Sequence, residues 1–377
     1  MQFSINKTAF IQALSITKRA ISFKNAIPVL STIKLEATTD NLLLTGSNGQ
    51  ISIETTLSIH DKDAGLFISN TGSVLLEASF FINVVSSLPE TTLEINVIDH
   101  YQVVITSGKS EITLKGKSVE NYPHIQKMST DTPLVIETKV LKSIISETAF
   151  AASAQESRPL LTGVHMQLQN DHVLKTVATD SHRLSQRLVV LSNKNDVFDV
   201  VIPSRSLREF PNIFSEDTAE IELFFSPSQV LFKSKSISFY TRLLEGTYPD
   251  TDRLLPNSFE TTIIVNRHHL IQAMERANLL SNATQNGTVK LEIANNHVIS
   301  HVNSPEIGKV HEELDILSLE GEDLTISFNP SYLIDALKVI KDETIALNFI
   351  SPVRPFTVTP TTDHENFVQL ITPIRTN

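Results

Sequence analysis

The chain has no cysteine among its 377 residues, which excludes disulfide bonds, thiolate zinc sites and cysteine nucleophiles. It also lacks any long apolar run. No segment approaches the roughly 18 consecutive apolar residues needed to cross a bilayer. The opening Met1-Gln2-Phe3-Ser4-Ile5-Asn6-Lys7 lacks the basic stretch and apolar core of a secretion signal. A cytoplasmic protein with no membrane role is expected. A glycine-rich phosphate loop, a His-Glu-x-x-His helix and an EF-hand loop are missing too, and most of the 12 histidines stand singly among polar residues. No metal and no cofactor are expected.

What the sequence does contain is one pattern written three times. A short strand enters a helix at Phe3-Ser4-Ile5-Asn6-Lys7, at Val135-Ile136-Glu137-Thr138-Lys139 and at Ile264-Val265-Asn266-Arg267, a spacing of about 130 residues, or one domain length. Each entry is followed by apolar residues at i, i+3 and i+4: Phe10, Ala13 and Leu14; Leu141, Ile144 and Ile145; Leu270, Ala273 and Met274. That is the stripe of a helix buried on one side. Alternating strands follow at Ile33–Glu36, Val164–Leu168 and Val289–Ile293, each reaching a polar turn at Asp40-Asn41, Asn170-Asp171 and Asn295-Asn296. A second helix starts in each copy near Glu77, Pro203-Ser204 and Asn329-Pro330. Closing hairpins pair Leu93–Val97 with Gln102–Ile105, Ile221–Leu223 with Val230–Phe232, and Ile345–Leu347 with Phe356–Val358. Two copies end in Gly followed by Tyr-Pro, at Gly116 to Tyr122-Pro123 and Gly246 to Tyr248-Pro249. The expectation is an α+β chain of three like domains, 1–127, 128–256 and 257–377, each with two helices on antiparallel sheets.

Charge is unevenly divided. The chain carries −11 overall, yet the expected helices hold Lys7, Lys18, Arg19, Lys139, Lys142, Arg205, Arg208, Arg267, Arg276, Lys338 and Lys341 against only Glu77, Glu147, Glu209, Glu275 and Asp335. Strands and loops are therefore more acidic than the whole. If the helices share one surface, it is basic on an acidic protein; the bland reading is that scattered cations solvate exposed helix faces.

Residues present in one copy only are the candidates for function, since shared ones are accounted for by the fold. The middle copy has Ala178-Thr179-Asp180-Ser181-His182-Arg183-Leu184-Ser185 where the first has Ser47-Asn48-Gly49-Gln50-Ile51 and the third Val302-Asn303-Ser304-Pro305-Glu306. On an extended segment Asp180, Ser181 and His182 point to alternate faces and cannot relay one proton, so no local hydrolytic triad is expected and no residue is assigned a catalytic role.

The three-copy plan, with Ala178–Leu184, Tyr248-Pro249-Asp250 through Leu255-Pro256, Leu279-Leu280-Ser281-Asn282 and Pro373-Ile374-Arg375, resembles the bacterial sliding clamps, the beta subunits of DNA polymerase III, over the whole chain. The resemblance implies three domains of the DNA-clamp fold and a head-to-tail dimeric ring. Its helices would line a hole for duplex DNA, and its sheets would form the outer wall. A ring holds DNA by topology, so loose phosphate attraction suffices. By resemblance Lys24 and Gln155 meet DNA; helix position adds Arg19, Lys142 and Arg205.

The same resemblance implies a peptide site in the middle copy and its junction with the third. Family clamps dock an extended segment, typically Gln then Leu and a terminal Leu-Phe pair, from the polymerase III alpha subunit, other polymerases, the clamp loader and repair proteins. Such a ligand needs an apolar slot with polar edges. Matching positions are Leu161, Thr179, Ser181, His182, Arg183, Leu184, Pro249, Arg253, Leu254, Pro355, Leu370, Thr372, Pro373, Ile374 and Arg375, of which Leu161, Leu184, Leu254 and Leu370 are equally readable as core. The sequence departs from the family where Ser181 replaces a frequent Gly and where Thr372 and Ile374 replace Met, giving a stiffer slot. By the same resemblance the homodimer interface would fall on Lys109, Ile112 and Leu114 of the first copy against Leu279, Leu280, Glu306, Glu312 and Glu313 of the third. Two other readings stand beside this one: a three-domain peptide scaffold that does not encircle DNA, and an enzyme dependent on His182.

Overall fold

In a computed structural model the chain is described over residues 1–22, 27–128, 132–170, 172–192, 196–282, 287–304 and 306–375. The first repeat runs β1 (Gln2–Asn6), α1 (Lys7–Thr17), β2 (Thr32–Ala37), β3 (Asn41–Ser47), β4 (Ile51–Ser58), β5 (Phe67–Asn70), β6 (Gly72–Glu77), α2 (Ala78–Ser87), β7 (Thr92–Ile98), β8 (Gln102–Ser107) and β9 (Ser110–Lys115). The second runs β10 (Leu134–Glu137), α3 (Thr138–Thr148), β11 (Gly163–Gln169), β12 (Val173–Thr179), β13 (Arg183–Val190), β14 (Asp199–Pro203), α4 (Ser204–Ile213), β15 (Glu220–Phe225), β16 (Gln229–Lys233) and β17 (Ile237–Arg242). The third runs β18 (Thr261–Asn266), α5 (Arg267–Ser281), β19 (Val289–Ala294), β20 (His297–Ser304), β21 (Gly308–Glu313), β22 (Ile316–Gly321), β23 (Leu324–Phe328), α6 (Pro330–Val339), β24 (Thr344–Phe349), β25 (Phe356–Pro360) and β26 (Phe367–Ile371).

The repeated strand-to-helix entry has a local cause. Asn6 Oδ1 accepts the backbone N–H groups of Thr8 and Ala9 at 2.9 and 3.2 Å, and Asn266 Oδ1 accepts those of His268 and His269 at 2.9 and 3.2 Å. Each Asn caps orphan donors of the first turn. The cation after it reaches the end of the second helix: Lys7 Nζ donates to Leu88 O at 2.6 Å, and Arg267 Nη1 to Leu337 O at 3.4 Å. Both satisfy carbonyls at the negative helix end, so these two helix cations serve the fold. In the second repeat Pro203 closes β14 and Ser204 opens α4, whereas Pro330 is the first residue of α6.

All nine stripe residues of the leading helices are buried: Phe10, Ala13, Leu14, Leu141, Ile144, Ile145, Leu270, Ala273 and Met274. In the first repeat Phe10 lies edge-on to Phe3 and Phe81, with ring centroids 6.2 and 5.9 Å apart. Burying a side chain of that size contributes about 2–3 kcal/mol.

The chain divides into two compact units, Met1–Leu141 with Arg208–Leu243, and Lys142–Leu207 with Leu244–Asn377. The middle repeat is split because its strands are merged into its neighbours' sheets. In the first unit an eight-stranded sheet runs β10-β15-β16-β17-β4-β3-β2-β6, joined where β17 pairs antiparallel with β4. In the second unit a nine-stranded sheet runs β14-β11-β12-β13-β26-β25-β24-β18-β22, joined where β13 pairs with β26. The remaining sheets are unmerged: β5-β1-β7-β8-β9 in the first unit and β21-β20-β19-β23 in the second.

Candidate functional site

The middle copy's distinctive segment is a hairpin turn between β12 and β13, not the extended stretch expected from sequence. Asp180 Oδ1 accepts the backbone N–H groups of His182 and Arg183 at 2.9 and 3.0 Å, and Thr179 Oγ1 accepts that of Ser181 at 3.1 Å and donates to Arg183 O at 2.6 Å. The side chains diverge. Asp180 Oδ2 takes Arg183 Nε at 3.1 Å, Ser181 Oγ accepts from Arg158 Nη1 at 2.9 Å, and the His182 ring stacks on Tyr332 at 6.2 Å. No hydroxyl–imidazole–carboxylate relay exists among these three residues, and among the described residues no His, Cys, Asp and Glu group could hold a metal ion.

Ser181 has φ +80°, the left-handed region that glycine enters without strain. Arg183 is a tie rather than a free hand: Nη1 pairs with Asp335 at 2.6 Å, Nη2 donates to Phe150 O at 3.0 Å, and the guanidinium lies 4.9 Å from the Tyr332 ring centroid. It binds the turn to α6 and to the short turn Ala149–Ala151 that follows α3.

Beside this turn lies a small apolar cluster of Leu161, Val177, Leu184, Val201, Tyr248 and Leu370, with Leu160, Leu244 and Leu255 packed against it. Leu161, Leu184 and Leu370 form its floor and are buried, whereas Leu254 is 52% exposed at the rim. Thr179 is buried beside the floor, Pro249, His182 and Arg253 are exposed, and Pro355 is half-buried. Thr372 is anchored, its N–H and Oγ1 both donating to His182 O at 2.9 and 2.7 Å. Pro373 is half-buried, Ile374 is held by its N–H on Ser327 O at 2.7 Å, and Arg375 is exposed. Gly163 is required beside the cluster, since a Cβ there would stand 2.5 Å from Val201 Cγ1 and 2.8 Å from Leu244 Cδ1.

Several residues in and beside this cluster escape a sequence reading: Val177, Val201, Leu244 and Lys175. Tyr248 was legible in the repeated Tyr-Pro. Its ring stacks on His165 at 4.9 Å and its hydroxyl accepts the N–H of Thr179 at 3.2 Å. Tyr122 plays the matching part in the first repeat, donating to Thr45 O at 3.2 Å. Burial pushes both phenols up, so both stay neutral at ordinary pH.

Of the DNA candidates, Lys142 and Arg205 lie on helices, whereas Arg19 sits in the short turn Lys18–Ala20 just after α1. Arg19 pairs with Glu209 at 3.3 Å, Lys142 is half-buried on α3, and Gln155 is exposed in the turn after it. Arg205 stands exposed in the first turn of α4, 3.7 Å from Glu156. Lys24 lies outside the described residues. Of the interface candidates, Ile112 is half-buried on β9, while Leu114 belongs to the first-repeat core. Leu279 is 80% exposed at the end of α5, and Leu280 packs on the third-repeat core. Glu312 is bound by Arg276 Nε at 3.1 Å and Glu313 by His297 Nδ1 at 2.5 Å. Lys109 and Glu306 are exposed in the turns beside β9 and β21.

Three repeats of two helices on antiparallel sheets, with a small apolar cluster beside the middle copy's distinctive turn, define a clamp-type fold. Family models for the N-terminal, central and C-terminal domains of the DNA polymerase III beta subunit match residues 1–126, 135–250 and 252–375. The beta sliding clamp of Streptococcus pneumoniae is 63% identical over 377 residues, covering 100% of both chains. The crystal structure of the polymerase III beta chain from that species superposes with a TM-score of 0.98 at 63% identity, and that of the Bacillus subtilis sliding clamp with 0.96 at 39%, each covering 100% of both chains. The chain belongs to the DNA polymerase III beta subunit family, the bacterial sliding clamps. Among the described residues no helix is long and apolar enough to cross a membrane.

Proposed function

We propose that two copies of this cytoplasmic chain close head to tail around duplex DNA, without sequence preference, and that the groove tethers the polymerase III alpha subunit, the clamp loader, other polymerases and repair proteins through a short linear motif. Domain boundaries near residues 127 and 256 go with this reading. One observation carries it. The fourth strand of one repeat joins the last strand of the next twice, as β4 to β17 and as β13 to β26. Among the described residues the equivalent strands β21 and β9 end their sheets unjoined. Open edges of this kind call for a partner.

The internal junctions also suggest a register. Thr56 N–H donates to Ser236 O and Leu188 N–H to Asn366 O, both at 2.8 Å, so the two junctions are equivalent. Carried over to the open edges, that register sets Ile112 opposite Val310, Lys109 opposite Glu313 and Glu111 opposite His311 of a second copy, with complementary charge in the Lys109–Glu313 pair. Leu279 and Leu280 stand on α5, which packs on β21. Arg19, Lys24, Lys142, Gln155 and Arg205 would face DNA through loose phosphate contacts.

The test is retention on nicked circular DNA after loading by a bacterial clamp loader with ATP, before and after linearising the circle. Retention on the circle and loss from the linear form is expected. Equal retention on both would mean ordinary electrostatic binding. No retention on either, with a loader active on its own clamp, would favour a scaffold that does not encircle DNA.

A further inference from the structure

Lys175 is a buried charge that neither the sheet nor the peptide motif accounts for. It lies on β12, two and four residues before Val177 and Thr179, so all three side chains share the face that carries the apolar cluster. Its side chain is only 7% exposed, and its ammonium pairs with Asp252. A buried ammonium must be paired, or it is expelled or neutralised; this one has its carboxylate partner on the segment linking the second and third repeats.

That segment crosses the face of β11 and β12 and is held at two points. Tyr248 is the first: its ring lies on His165, whose Nε2 is fixed by Asp199 Oδ1 at 2.7 Å, and its hydroxyl takes the Thr179 N–H. Asp252 on Lys175 is the second. Between them the chain turns locally, with Asp250 accepting the N–H of Asp252 at 3.2 Å and Nε of Arg253 at 2.8 Å. Pro249, Arg253 and Leu254, three residues of the groove rim, sit between or directly after these anchors. Leu255 then returns to the apolar cluster.

We propose that the Lys175–Asp252 pair is a latch that positions the linker as one wall of the groove, making Lys175 a positioning residue for peptide binding. The inference rests on the docking reading above. Removing the latch frees the rim at one end while Tyr248 keeps the other, so the wall shifts without the floor being lost. Bound peptide then leaves faster, while its arrival is little changed.

The experiment uses the full-length protein and a fluorescent peptide ending in Gln-Leu-Ser-Leu-Phe. Lys175→Met, which keeps the stem and drops the charge, is expected to weaken binding about fivefold through the off-rate, and Lys175→Arg to restore it to within about twofold. Hydrogen exchange without peptide should show faster exchange of residues 247–256 in Lys175→Met, with the α5 and α6 amides unchanged. Equal off-rates in parent and Lys175→Met would overturn the latch. If the parent itself fails to bind the peptide, the docking reading falls, and the exchange measurement decides the latch alone: unchanged protection of 247–256 overturns it.

Discussion

The turns at Ser47–Ser52 and Thr179–Leu184 have one backbone and two vocabularies. In the first, Asn48 Oδ1 accepts the N–H groups of Gln50 and Ile51, both at 2.9 Å, and Gly49 sits at φ +89°. In the second, Asp180, Ser181, His182 and Arg183 repeat that arrangement position for position. Ser47 and Thr179 even bond the same neighbours, accepting the N–H two residues on. What differs is reach. Exchanging Ile51 for Arg183 ties the second turn to Asp335 and Phe150, and exchanging Gly49 for Ser181 offers a hydroxyl to Arg158. The fold asks only for an Asx side chain and a left-handed residue; the rest was free to be recruited beside the groove.

The largest expected break in this comparison is Arg183→Ala. It strips Asp335, Asp180 and the Phe150 carbonyl of one partner together, and a loss of about 3 kcal/mol in urea unfolding is expected. A loss below about 1 kcal/mol would mean that the second turn stands alone, as the first does. Next, Asp180→Ala should destabilise by about 2 kcal/mol and Asn48→Ala by about 1, since only Asp180 also pairs with a guanidinium. Equal losses would remove the distinction.

Gly49→Ser tests the shared backbone. Space is no obstacle, because a Cβ there meets only Leu30 Cδ1 at 4.0 Å. The left-handed φ alone should cost about 1 kcal/mol, whereas Ser181→Gly should change stability by about 0.5 kcal/mol or less, relief of strain being offset by the lost Arg158 bond and a more flexible unfolded chain.

The smallest effect concerns the neighbouring junction, where Thr17 and Thr55 bond at 2.7 Å in the first repeat and Glu147 meets Arg187 at 3.3 Å in the second. Burial pushes the Glu147 carboxyl above the usual range, against the Ser143 hydrogen bond and the Arg187 and Lys341 charges. The folded protein therefore holds that proton more tightly than the unfolded chain. Its contribution is full at low pH and is lost as pH rises through the raised value. E147Q should be more stable than the parent at pH 8, with the difference closing toward pH 4. A pH-independent difference in urea midpoints would place the effect in packing instead.

Much of this was legible in the sequence, for reasons visible in particular residues. Helix stripes such as Phe10-Ala13-Leu14 and caps such as Asn6 and Asn266 act within a few residues, and periodicity reports them. The helix cations were only half legible, since Lys7 and Arg267 reach carbonyls across the repeat. Ser181 read as a substitution; its φ made it a strained one. Lys175 and Asp252 lie 77 residues apart in the chain, and no local pattern announces such a pair. Merged sheets were invisible for a similar reason, because β4 and β17 read as ordinary alternating strands whose partners the sequence does not name.

That merging separates two kinds of unit. The segment that recurs in sequence is the repeat, while the element that stands or falls together is a sheet built from halves of two repeats. A fragment cut between residues 126 and 135, at the gap between the first two family matches, would expose β4 on one piece and β17 on the other. Each piece would then carry a fresh adhesive edge. Copying this domain along a chain is therefore easy, and lending it out singly is not.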